Sequence, residues 1–141
     1  MSSSHHITRE AFASTFPRLI EGRLLLPKKR SELQMLLISV TLTFEPGRIY
    51  SEPRVNEHIR EWVSRFGSDL SVDHVTLRRY LIDEGILIRD EFGSSYQLND
   101  ETPFFSFDPS IRNLDLEGLV AQAQKARAAR KRAFLAARKQ E

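Results

Sequence analysis

Two adjacent arginines are the residues in this chain best suited by type and spacing to contact a ligand. They lie in "DHVTLRRYLIDEG", Asp73 to Gly85, among aliphatics that recur at helical spacing. A step of about 100° per residue from Leu77 leaves Tyr80 and Leu81 on its side of a helix. Arg79 falls nearly opposite, flanked by Val75, Thr76 and Asp83, and Arg78 sits at the border, four residues after His74. An outward guanidinium can donate two bonds to guanine O6 and N7, and a threonine can meet phosphate or a thymine methyl. Thr76, Arg78 and Arg79 are therefore candidate DNA contacts. The same spacing also allows an internal use, in which Arg79 pairs with Asp83 one turn on and Arg78 bonds acceptors in the preceding turn. Asp73, Asp83 and Glu84 outnumber the two arginines, and Asp90 and Glu91 follow against Arg89. Acids beside a groove reader repel phosphate.

Other cations could supply the missing attraction. Lys28, Lys29 and Arg30 form one cluster. The second runs through the C-terminal segment, with Lys125, Arg127, Arg130, Lys131, Arg132, Arg138 and Lys139. From Glu117 onward there are seven Lys/Arg against two Glu, whereas residues 1–116 hold 14 basic and 17 acidic groups. The basic isoelectric point near 9.1 thus belongs to the tail. In one helix Leu116, Leu119, Val120, Ala123, Phe134 and Ala137 share a side, which suits a partner helix on that face and phosphate on the rest.

Catalytic patterns are missing. The histidines are His5, His6, His58 and His74, with no HExxH, no GxSxG and no glycine-rich phosphate loop. With no cysteine in the chain, disulfides, thiolate zinc sites and cysteine nucleophiles are excluded. The expectation is a non-enzyme without metal or cofactor.

The elements that would position these residues follow from periodicity. Thr8 can cap a helix over "REAFASTF", with Phe12 and Phe16 on one face and Pro17 ending or bending it. Gly22 reads as a break, Leu24 to Leu26 as a short buried segment, and Pro27 as the opening turn of a second helix. That helix is expected through "KKRSELQMLLISVTLTF", with Leu33, Leu36, Leu37, Val40 and Phe44 inward. "EPG" at 45–47 is a turn, Ser51 caps a third helix burying Val55, Ile59, Trp62, Val63 and Phe66, and Gly67 closes it as a left-handed cap. The Arg78–Arg79 helix is the next. "ILIRDEFGSSYQL" then reads as strand, turn, strand.

Three small helices followed by a hairpin match a winged-helix-like helix-turn-helix domain. The expected fold is mainly α with a small β-hairpin, plus a C-terminal helix. Its divisions are a disordered or expression-derived start over 1–7, a winged-helix-like domain over 8–98, an extended Phe/Pro-rich linker over 99–114 and a basic Ala-rich helix over 115–141. Phe104, Phe105 and Phe107 in the linker are expected to fold back on the domain. At 141 residues the chain holds one domain with extensions. No apolar run approaches the roughly 20 residues that span a bilayer, and no secretory signal opens the chain.

"GRLLLPKKR", "FEPGRIYSEPRVNEHI" and "DHVTLRRYLIDEGILIRDEFGSSY", taken in order, resemble the bacterial domain of unknown function 2087 family over about residues 12–98. The resemblance implies a small helical domain with a regulatory, DNA-associated role. The basic tail lies outside the family pattern, and the expectation is of a regulator without a second DNA-binding domain in front. The resulting expectation is a cytoplasmic, homodimeric transcriptional regulator that binds double-stranded DNA and no membrane. Its sites would be Thr76, Arg78, Arg79, Lys28, Lys29, Arg30, Arg127, Arg130, Lys131 and Arg132. The alternative is a non-catalytic interaction or oligomerisation module whose C-terminal helix binds the partner.

Overall fold

A computed structural model describes residues 5–21 and 24–139, so the expected break at Gly22 lies outside the described residues, as do 1–4 and 140–141. The fold is mainly α with two small sheets. In chain order the elements are β1 (His5–Ile7), α1 (Arg9–Ile20), α2 (Arg30–Thr41), β2 (Tyr50–Ser51), α3 (Glu52–Arg65), α4 (His74–Asp83), β3 (Leu87–Arg89), β4 (Ser95–Leu98), β5 (Phe105–Phe107) and α5 (Leu116–Lys139). A 3-10 turn, Pro109–Asn113, precedes α5.

The buried centre is α2. Every residue from Gln34 to Thr41 is buried, so the helix is enclosed on all sides rather than along one stripe. Its polar groups are satisfied where they lie. Ser39 and Thr41 donate to the Leu36 and Ile38 carbonyls, and the Trp62 indole N–H donates to Ser39 Oγ at 3.0 Å. The helix is shorter than expected, and buried Pro27 stands three residues before it, not in its opening turn.

Helix α1 runs through Pro17 to Ile20 instead of ending there. Proline removes one hydrogen bond, but Phe12, Phe16, Leu19 and Ile20 are all buried and anchor the helix on both sides of it. The Thr8 cap forms, with Oγ1 accepting the Ala11 amide at 3.1 Å. Leu24 and Leu25 are corrected from buried to exposed, at 69% and 67%; only Leu26 is half-buried. An apolar triplet without a period does not reveal which face is covered.

Residues 5–7, set aside as a disordered or expression-derived start, belong to the fold. Strand β1 pairs in parallel with β5, Ile7 opposite Phe107, and Ile7 is buried. The Phe/Pro-rich stretch is accordingly part of a sheet, with Phe105 buried, Phe107 half-buried and Phe104 exposed. The second sheet has the order β2-β4-β3, antiparallel throughout. The hairpin was expected. Its third strand, two residues just before α3, was not.

Gly67 is also corrected. Only Gly47, Gly85 and Gly93 have positive φ among the described glycines. Gly67 instead gives room to Trp62, since a Cβ there would stand 2.7 Å from the indole ring.

Candidate nucleic-acid interface

Helix α4 is fixed at both ends. Asp73 caps it, its Oδ1 accepting the Thr76 amide at 2.8 Å, and that bond holds the carboxyl below its usual pKa. At the other end Gly85 turns the chain with φ +73°, and Pro103 packs where a Cβ would be. Between them Leu77 and Leu81 are fully buried. Thr76 and Arg79 consequently face out, with Val75 and Tyr80 partly exposed beside them.

The arginine pair divides. Arg78 turns back onto α3, donating from Nη1 to Asn56 Oδ1 at 2.5 Å and placing Nη2 3.0 Å from Glu52 Oε1. Its side chain is 18% exposed, so its partners are internal. Arg79 is exposed and makes no ion pair among the described residues, Asp83 included. The local pairing allowed by spacing is absent for Arg79, and the internal role belongs to Arg78.

The hairpin brings a third arginine. Arg89 on β3 pairs with Tyr96 on β4 and lines a cleft with residues of α4. A cleft of about 300 Å³ lies between helix and hairpin, lined by Val75, Arg78, Arg79, Ile82, Asp83, Arg89 and Tyr96. Asp83 is the one acid in that lining.

Three of the acids counted against this surface have defined structural partners. Asp73 is the cap. Glu84 is buried, accepting from Arg30 at 3.0 and 3.3 Å and from Gln34 Nε2 at 3.2 Å. Asp90 closes the hairpin turn, accepting the Ser94 amide and hydroxyl, each at 2.8 Å, and the Ser95 amide at 3.3 Å. Those bonds pull its pKa down from 3.8 to about 2. Of these acids only Glu84 is neutralised by a cation, whereas Asp73 and Asp90 keep their negative charge at the start of α4 and at the hairpin turn.

The other expected contacts are scattered. Lys28 and Lys29 are exposed. Arg30 is tied to Glu84 and lies over the Phe104 ring at 5.0 Å, so it separates from the lysines. Arg127 pairs with Glu21 of α1 at 2.9 Å, and Arg130 lines the groove between α1 and α5. Lys131 and Arg132 are exposed, on a stretch of α5 that also exposes Phe134 and Leu135. Among the described residues no cleft groups the tail cations with α4; half-buried Leu119 and Ala123 of α5 lie against α1, and Leu116 lies by α2 and α3.

Sequence reasoning missed Arg89 as a member of the site. The signal was there: two residues after Leu87 in a strand, it shares the face of that buried leucine. It also missed Asn56 and Glu52 as partners of Arg78, for which no local pattern exists. His58 is an exception among the histidines, wedged against Phe44 and Tyr50 at 4.6 and 5.2 Å between centroids. Burial, then nearby Arg54, lowers its pKa. Among the described residues no three His, Asp or Glu are grouped as a metal site, and no helix is long and apolar enough to cross a membrane.

No curated protein and no solved structure matches the chain. One family model does, over residues 24–98, which is more than half of the sequence and contains α2 through β4. The chain belongs to the family described as an uncharacterized protein conserved in bacteria (DUF2087).

Proposed function

We propose that this protein is a cytoplasmic transcriptional regulator that binds double-stranded DNA by docking, without chemistry, through α4 and the β3–β4 hairpin. The element order supports a winged-helix-like reading. A helix, a short strand, two helices and a hairpin follow one another, and the short strand pairs with the returning strand of the hairpin. In that arrangement α4 is the recognition helix and the hairpin is the wing. The carrying observation is the cleft where Arg79 and Arg89 converge with Asp83 as the single lining acid. Arg79 and Thr76 would contact bases or phosphate, and Arg89 would hold the backbone passing between helix and wing. Lys28 and Lys29 would add non-specific attraction. Two copies on neighbouring half-sites would supply specificity.

The test is binding to pooled genomic duplex at about 50 and 200 mM salt, where phosphate contacts give a steep loss of affinity. Arg79→Ala and Arg89→Ala are expected to weaken binding while the protein stays folded. No binding by the intact protein at the lower salt would overturn the reading.

A second reading, an interaction module working through α5, is favoured by one observation. Every residue of α5 from Lys131 to Lys139 is exposed, Phe134 and Leu135 among them.

A further inference from the structure

The exposed half of α5 combines two properties that a nucleic-acid backbone does not use together. Arg130, Lys131, Arg132, Arg138 and Lys139 give it charge, and none forms an ion pair among the described residues. Phe134 and Leu135, 61% and 46% exposed, sit among them, with Arg138 folded over the Phe134 ring. Phosphates would satisfy the cations and leave the phenylalanine in water. A surface with an apolar floor and an acidic rim would satisfy both.

One such surface exists on the molecule. Between the Glu45–Arg48 turn and the segment from Leu98 to Arg112 lies a groove of about 770 Å³. Its apolar lining includes Pro46, Leu98, Pro103 and Phe107, and its rim holds Asp100 and Glu101. Neither acid has an ion-pair partner among the described residues. The rim is held in shape, since Asn99 Oδ1 accepts the Glu101 amide at 3.2 Å and Asn99 Nδ2 donates to the Gly85 carbonyl at 2.9 Å. Thr102 Oγ1 also donates to the Phe105 carbonyl. Arg112 closes one end, its Nη1 turned to the Phe44 carbonyl at 3.4 Å.

A chain cannot fill this groove with its own tail. Helix α5 begins at Leu116, four residues past Arg112, and no α5 residue lines the groove. Twenty-four residues of straight helix carry its far end about 36 Å from its start. The occupant with the right charge and the right side chain is the same helix from another molecule. We propose that the exposed end of α5, with Phe134 as anchor, docks into the Asp100–Glu101 groove of a second copy of this chain. A two-fold arrangement makes the exchange reciprocal, so that each copy gives one helix and receives one. This assigns α5 to self-association. It stands independently of the DNA reading, which concerns α4 and the hairpin.

Sedimentation velocity on the 141-residue chain, without DNA, tests it. At low salt a concentration-dependent dimer is expected, dissociating towards monomer at about 1 M salt, where screening falls to roughly 3 Å. Phe134→Ser in the tail and the Asp100→Lys/Glu101→Lys pair in the groove should each raise the dissociation constant about tenfold or more. All are exposed positions, so helical circular dichroism should be retained. The cysteine-free background allows a direct check. With dissolved oxygen as oxidant, a Glu101→Cys chain mixed with an Ala137→Cys chain should form a mixed disulfide faster than either forms a disulfide alone. A monomer at low salt would overturn the proposal. So would a dimer indifferent to the groove substitutions, or a mixed disulfide no faster than the single-variant controls.

Discussion

Arg30 and Glu84, 54 positions apart, are joined by two hydrogen bonds, Nε to Oε1 at 3.0 Å and Nη2 to Oε2 at 3.3 Å. The pair ties the start of α2 to the end of α4 and leaves Glu84 only 8% exposed. Removing the arginine leaves a buried carboxylate with Gln34 as its remaining side-chain donor. Arg30 itself is 61% exposed, so water screens part of the interaction. Arg30→Ala is expected to destabilise by about 1–2 kcal/mol in urea unfolding. It should alter DNA affinity less than Lys28→Ala or Lys29→Ala. A loss of affinity at unchanged stability would restore Arg30 to the contact surface.

Gly85 and Gly93 share a positive φ, +73° and +71°, but not an environment. A Cβ on Gly93 would meet nothing within 4 Å, whereas one on Gly85 would stand 2.5 Å from Pro103 Cδ. Gly93→Ala should cost only backbone strain, about 1–2 kcal/mol. Gly85→Ala should cost about 1–3 kcal/mol more, since the Pro103 ring must move. Equal losses in urea unfolding would mean that Pro103 is free to shift.

The Asp90 turn gives a pH dependence with a definite sign. Its carboxyl titrates near 2 in the folded protein against 3.8 ordinarily, because the Ser94 and Ser95 groups donate to the charged form. Between those values the unfolded chain binds more protons, so stability rises with pH. The contribution is complete above about pH 4 and lost as pH falls towards 2. Asp90→Asn should flatten that part of the stability profile relative to wild type. A carboxyl carbon resonance of Asp90 titrating near 3.8 would contradict the assigned turn.

The parts of the fold legible in the sequence are those whose cause is local. The Thr8 and Ser51 caps, the Val55–Ile59–Trp62 face and the Leu77–Leu81 face all lie where spacing puts them. Strand β1 escaped notice because its partner is 100 residues away, and parallel pairing at that distance leaves no period in either segment. Strand β2 has two residues, too few for an alternation. The site shows the same division. Helical angle alone put Arg79 outside and Arg78 at the border. That Arg78 would find Asn56 and Glu52, and that Arg30 would leave Lys28 and Lys29 for Glu84, depended on how the helices cross.

The arginine pair supplies the sharpest discrimination, because the two residues should fail in opposite assays. Arg78→Ala leaves Asn56 and Glu52 without their shared donor and opens the α3–α4 contact, so it should lower stability by about 1–2 kcal/mol. Arg79→Ala removes an exposed side chain without a partner and should change stability by less than about 0.5 kcal/mol. On duplex DNA the order reverses. Arg79→Ala should weaken binding by about 1–3 kcal/mol if it meets a base edge, unequally among sequences. If it meets only phosphate, the loss is even across sequences and the salt slope falls by about 1. Urea unfolding and anisotropy titrations of both variants measure the two axes. An Arg79→Ala protein with full stability and full affinity would remove α4 from the interface and leave its arginine pair as part of the fold alone.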